Sequence, residues 1–161
     1  MLKKFNLIFV TCFNIGKIKF ASGTFASLIT CVFFFFVVDL LGVIILFFIT
    51  LFIFLYSLKA INSAFESFST HDPREIVIDE IVGQMLPLLA LPIYETLYPI
   101  PKVYYCLTAF LLFRLFDVWK PYPINFIDKN VKGELGIMLD DILAGVYVII
   151  ILIITFFFLG A

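Results

Sequence analysis

Five carboxylates in this sequence sit where carboxylates are expensive. Asp79 and Glu80 are adjacent inside a run of β-branched and apolar residues, Asp117 follows an apolar stretch, and Asp140 and Asp141 stand directly before the most apolar run of the chain. An acid entering an apolar helix marks a functional site by default, because its desolvation must be compensated. A set of oxygen donors with no convergent His or Cys suits Mg²⁺, which takes one or two carboxylates together with water and substrate phosphate. Arg114, Lys120, Lys129 and Lys132 are available for anion recognition. A second place for phosphate is the segment 16–24. There Ser22 or Thr24 is suited to cap a helix, Gly23 allows close backbone approach, and Lys17 and Lys19 lie nearby. A plain capped helix start with lysines at the inner leaflet explains those same residues. Taken together, the inventory favours a divalent-cation site that handles phosphate.

The string lacks the signatures of several other chemistries. No cysteine has an arginine six residues on, there is no Asp-x-Asp, and neither Gly-x-Ser-x-Gly nor a Walker loop is present. The single histidine, His71, disfavours a histidine relay and reads as structural or as a supporting donor. Several polar residues have ordinary explanations. Asp72, Pro73 and Glu75 have the spacing of an N-cap, a first-turn proline and a capping-box acid, predicting a helix that starts there. Arg114 and Asp117, three apart, predict a salt bridge on one helical face, with Lys120 continuing it before Pro121 ends the helix. Gly83 and Gly145, each one turn beyond an acid, predict open faces beside Asp79 and Asp141.

The elements that position these groups are apolar helices. Of 161 residues 63% are apolar and 14% charged, against roughly a quarter charged in a soluble domain. Mean hydropathy is +1.15. Disorder, a fibrous repeat and an ordinary soluble enzyme are thereby excluded, and one all-helical, membrane-embedded domain over residues 1–161 is expected. A formal charge of −1 gives no reason to expect a nucleic-acid partner, and three widely spaced cysteines fit neither a disulfide framework nor a zinc site. No cleavable signal segment is read at the start of the chain. Apolar runs cover 25–38, 40–58, 81–94, 103–113 and 142–159, predicting four to five membrane segments. If the runs cross, one side holds every Lys and Arg except Lys102 and every acid except Asp39 and Glu95. The positive-inside rule makes that side cytoplasmic.

Three ordered strings carry a resemblance. HDPREIVIDEIVGQ (71–84), FRLFDVWKPYPI (113–124) and FIDKNVKGELGIMLDDILAGVY (126–147) resemble the signature blocks of the phosphatidylglycerophosphatase A family. The Gly-Thr-x-x-Ser of Gly23 to Ser27 is similar to its N-terminal block, with Ser22 and Ala26 where that block has proline and glycine. The resemblance implies an all-helical protein of the bacterial inner membrane. It also implies Mg²⁺-dependent hydrolysis of phosphatidylglycerol phosphate to phosphatidylglycerol and phosphate, with membrane lipids as the surroundings. Carried onto this chain, it makes Asp79, Asp117, Asp140 and Asp141 the expected metal ligands. Glu80, with Asp79 and Asp141, becomes the expected catalytic group, positioning or deprotonating water. Arg114, Lys120, Gly23 and Thr24 become the expected substrate contacts. A small ion or proton transporter is the rival from another class, since intramembrane acids also mark ion paths. A non-catalytic scaffold is the third reading. A transporter would want acids near the middle of long spans, and the runs 40–58 and 142–159 have none.

Overall fold

The computed structural model describes residues 2–65, 68, 73–97 and 101–159. Among them the protein is all-helical: α1 (Leu2–Val10), a 3-10 turn at Ile15–Lys17, α2 (Ser22–Phe65), α3 (Ile78–Leu89), α4 (Leu91–Leu97), α5 (Lys102–Trp119), α6 (Ile124–Asn130) and α7 (Gly133–Leu159). Two helices, Ser22–Phe65 and Gly133–Thr155, are long and apolar enough to cross a membrane by length and composition. The protein is membrane-associated, and its outward-facing helix surface carries exposed side chains such as Phe36, Leu40, Ile44, Phe52 and Leu111.

The expected four to five segments do not map run for run. The first two runs form one element, α2, broken at Gly42 with φ 74° and ψ 158°. A straight helix of 44 residues would reach about 66 Å, yet both ends of α2 lie beside the start of α3. Gly23 abuts the Glu80 carboxylate, whereas Ala60, Ile61 and Ala64 share an apolar cluster with Ile76, Ile78 and Val82. The chain therefore doubles back at Gly42, in a backbone region that a residue with a Cβ rarely enters. The third run is divided between α3 and α4, α3 ending just after Pro87. α5, 18 residues long, returns the chain from Lys102 to the end where α3 starts.

The bundle thus has two ends. At the far one, near Gly42, Lys102 Nζ lies 2.6 Å from Asp39 Oδ2, pairing the two groups that the hydropathy pattern puts on one side. Between the ends, α3 packs against α2 and α7. Phe34, Leu46, Leu88, Ala109, Phe113 and Val148 form the main core, and Val10, Ala60, Ile61, Ile78, Val82 and Met138 a second core beneath the near end.

One helix start differs from expectation. Pro73 and Glu75 belong to a turn, closed by Ile76 N donating to Pro73 O, and α3 begins only at Ile78. The cause is tertiary. Val77 N donates to Val10 O at 3.0 Å, tying the segment to the end of α1 rather than to a helical ladder. His71 and Asp72, whose roles were read from the same block, lie outside the described residues.

Candidate active site

Two glycines set the position of the acids. A Cβ on Gly83 would lie 2.7 Å from Asp141 O and 2.8 Å from the Phe113 ring, and one on Gly145 would overlap Gly83 O. α3 and α7 therefore touch main chain to main chain. These faces are not open, as the spacing suggested; they are the crossing point of the two helices. One turn before each glycine is an acid, so the crossing brings Asp79 and Asp141 together. Asp79, Glu80 and Asp141 each offer a carboxylate oxygen within 4.8 Å of the others. Asp79 Oδ1 and Glu80 Oε2 are buried without a hydrogen-bond partner.

Burial pushes the Asp79 carboxyl well above the usual carboxylate range, and the Glu80 charge adds to the rise. Glu80 is pushed up to about 7, by burial first and also by Asp117, while a hydrogen bond with Asp79 and the Arg114 charge oppose the rise. Both acids occupy the first turn of α3, where the helix dipole favours negative charge. Gly23 admits this arrangement: a Cβ there would overlap Glu80 Oε1 and lie 3.2 Å from Arg114 Nη1. The close approach at Gly23 is thus to an acid and an arginine. Ser22 is the first residue of α2, and its hydroxyl donates to Arg74 O at 3.3 Å instead of capping the helix.

The other expected metal ligands are drawn elsewhere. Asp117 Oδ2 lies 2.5 Å from Arg114 Nη1, the predicted i,i+3 pair. Asp140 Oδ2 accepts from Lys120 Nζ at 2.6 Å and its Oδ1 from the Asp141 amide at 3.1 Å, so both oxygens are engaged. Lys120, in left-handed conformation at the end of α5, also donates to Asp128 Oδ1 at 2.6 Å. Burial works against its charge, but the two carboxylates outweigh that and raise its pKa above the ordinary lysine value. Of the expected substrate cations, Arg114 therefore holds one carboxylate and Lys120 two.

A cleft of about 990 Å³ opens over the cluster. Asp79, Glu80, Asp117, Asp140, Asp141, Lys120 and Gly23 line it, and Arg114 and Thr24 do not. Two further residues belong to the neighbourhood. Asp128 lines the cleft and completes the Lys120 pairing, but one acid in a mixed polar segment gave no signal of it. Gln84, one turn beyond Glu80, is fully buried with neither amide atom partnered. A polar residue inside the apolar run 81–94 was the available clue to it.

The phosphatidylglycerophosphatase A family matches residues 8–156. A phosphatidylglycerophosphatase A of Haemophilus influenzae is 35% identical over 139 residues, 86% of this chain and 81% of that protein. The Escherichia coli K12 protein of the same name is 43% identical over 76 residues, 47% of this chain and 40% of that one. A Bacteroides thetaiotaomicron protein provisionally named a phosphatidylinositol-3-phosphatase is 41% identical over 95 residues, 59% of this chain and 56% of its own. No solved structure matches the chain significantly. With nearly its whole length matched and the acids of its signature blocks gathered over one cleft, this chain belongs to the phosphatidylglycerophosphatase A family.

Proposed function

We propose that the chain is a Mg²⁺-dependent lipid phosphatase that hydrolyses phosphatidylglycerol phosphate to phosphatidylglycerol and inorganic phosphate. The observation that carries this reading is the group Asp79, Glu80 and Asp141, with oxygens of the first two buried and unpartnered at the floor of a cleft. Three convergent carboxylates and no soft donor fit a hard divalent cation with a water beside it: the orphaned Asp79 Oδ1 is an oxygen such an ion would satisfy, and the orphaned Glu80 Oε2 one that the water would. When bound there, Mg²⁺ would neutralise phosphoryl charge and polarise the phosphoryl oxygens.

The protein's own groups supply the rest. Asp79 and Asp141 are the anchoring ligands, since α3 and α7 hold them in a fixed relation through Gly83 and Gly145. Glu80 is the proton acceptor: its Oε2, buried and without a partner of its own, is the oxygen available to take a proton from water. The water oxygen bonds to phosphorus as the ester P–O bond breaks, and the departing alkoxide takes a proton from solvent in the open cleft. Asp140 and Asp128 fix Lys120 at the cleft wall, and Asp117 fixes Arg114 behind Glu80.

The near end faces the cytoplasm in this reading, because the Lys and Arg residues other than Lys102 gather on that side. Lipid tails then stay in the bilayer of the bacterial inner membrane while the headgroup reaches the acids. The test is phosphate release from phosphatidylglycerol phosphate by the purified chain: activity with Mg²⁺, none in excess EDTA, and recovery on adding Mg²⁺ back. Full turnover in chelator would overturn the metal assignment. Cysteines introduced at positions 130 and 96 in a background lacking Cys12, Cys31 and Cys106 should label from the cytoplasm and from outside, respectively.

A further inference from the structure

The cations of the cleft fall into two groups. Arg114 and Lys120 are engaged by Asp117, Asp128 and Asp140, whereas Lys17, Lys19, Arg74 and Lys132 line or rim the same cleft and make no ion pair among the described residues. Three of these four are held on one rim by backbone contacts. Val77 N donates to Val10 O, Gly16 is pressed against Glu75 O so closely that a Cβ would overlap it, and Ser22 Oγ donates to Arg74 O. The loop 11–21, with the residue on either side of it, is thereby joined to the segment 73–77 at three points, Val10, Gly16 and Ser22. Cys12, Phe13, Asn14 and Ala21 adopt positive φ to make that path, which costs conformational energy an unconstrained linker would not bear. The lysines and Arg74 are thus presented by a built backbone, with Glu75 the acid that shares their rim.

The same loop exposes Phe13 (82%) and Phe20 (83%) on either side of Lys17 and Lys19. Large apolar side chains interleaved with lysines are the composition of a surface lying at the headgroup level of a bilayer. At that depth the available anion is the phosphodiester that joins a lipid's glycerol backbone to its headgroup.

We propose that Lys17, Lys19 and Arg74 form a second anion station that binds the lipid phosphodiester of the substrate, while the carboxylate floor takes the phosphomonoester. The inference rests on the lipid-phosphatase reading and narrows it. Of the two phosphates that phosphatidylglycerol phosphate carries, the diester thereby gains contacts of its own. Each end of the cleft then has its own anion, and substrates lacking the diester lose one of the two contacts.

The experiment uses the full chain in neutral detergent micelles and a Lys17→Gln/Lys19→Gln/Arg74→Gln variant. Binding of phosphatidylglycerol, which has the diester and no monoester, is measured in EDTA so that no turnover intervenes. The variant should bind it about tenfold more weakly or worse, the scale set by loss of charge-assisted hydrogen bonds. In Mg²⁺, KM for phosphatidylglycerol phosphate should rise by a similar factor with kcat within about twofold. KM for phosphatidic acid, which has the monoester and no diester, should rise far less. Inhibition by inorganic phosphate should persist in the variant, which separates a lipid diester station from a free-phosphate site.

Equal KM rises for both lipids would overturn the station and leave only general attraction to charge, as would unaltered phosphatidylglycerol binding. If the parent chain hydrolyses neither lipid, the phosphatase reading fails, and the binding arm still decides the station. A Phe13→Ser/Phe20→Ser variant that keeps all three cations provides a folding-independent check. It should weaken binding to lipid micelles and leave binding of the soluble diester glycerophosphoglycerol unaltered. Equal loss for both ligands would remove the headgroup-level placement on which the choice of diester depends.

Discussion

The two ends of this bundle handle charge in opposite ways. At the far end Asp39 and Lys102 make one ion pair, with the Asp39 side chain 75% exposed and Lys102 lying over the Phe35 ring. At the near end Asp79, Glu80 and Asp141 crowd together with two oxygens unpartnered, although cations stand close by. Those cations, Arg114 and Lys120, are held by other acids. An exposed pair is worth little to stability, and a like-charge buried group costs stability outright. A fold that merely needed to place polar residues at its ends would resemble the far one. The near one concentrates a cost, which fits the divalent-cation site proposed for it.

The contrast can be broken most forcefully at the acids. Asp79→Asn, Glu80→Gln and Asp141→Asn should each fold and each lose at least about 10²-fold in turnover, the scale of removing a catalytic acid–base group. Melting temperature in EDTA should hold or rise, since each change relieves repulsion. Raising Mg²⁺ should restore part of the Asp79→Asn loss and little of the Glu80→Gln loss, because a weakened ligand responds to concentration and an absent base does not. Phosphate release across a Mg²⁺ titration measures this. Near-normal turnover in all three would put the two ends on the same footing.

Next in size is Gly83→Ala. Its methyl would meet Asp141 O and Phe113, so it should destabilise by about 1–3 kcal/mol and lower activity by separating α3 from α7. Thermal unfolding in detergent, alongside phosphate release, would show both effects. Asp140→Asn should do less. Lys120 keeps Asp128, so a loss of about 1 kcal/mol and a partial fall in activity are expected. Asp39→Asn should do least, within about 0.5 kcal/mol in the same melt and with turnover unaffected, because its pair is exposed and remote from the cleft.

Much of this arrangement was legible in the residues. Apolar runs and charge placement were enough to put Asp39 with Lys102 and the acids of the cleft at the opposite end, because desolvation forbids most alternatives. The Arg114–Asp117 pair followed from helical spacing. What escaped was tertiary. The donors of 73–77 could close a local helix turn or reach Val10, and only packing decides that contest. Asp140 and Asp141 look alike as neighbours, yet successive helix positions point about 100° apart. One therefore meets Lys120 and the other Asp79. Gly83 and Gly145 were visible as room beside acids, when they mark where another helix already is.

The two glycine contacts constrain how such a site is inherited. Asp79-x-x-x-Gly83 and Asp141-x-x-x-Gly145 are the same phrase written on two helices, each pairing a contact with an acid one turn before it. The relation of Asp79 to Asp141 resides in an interval of four on each helix, and Glu80 is the one letter between that the site also uses. A single inserted residue inside either interval would keep composition, hydropathy and both acids, and would swing one carboxylate away from its partner. Related chains can therefore drift far in their apolar residues while tolerating no change of length at these two places.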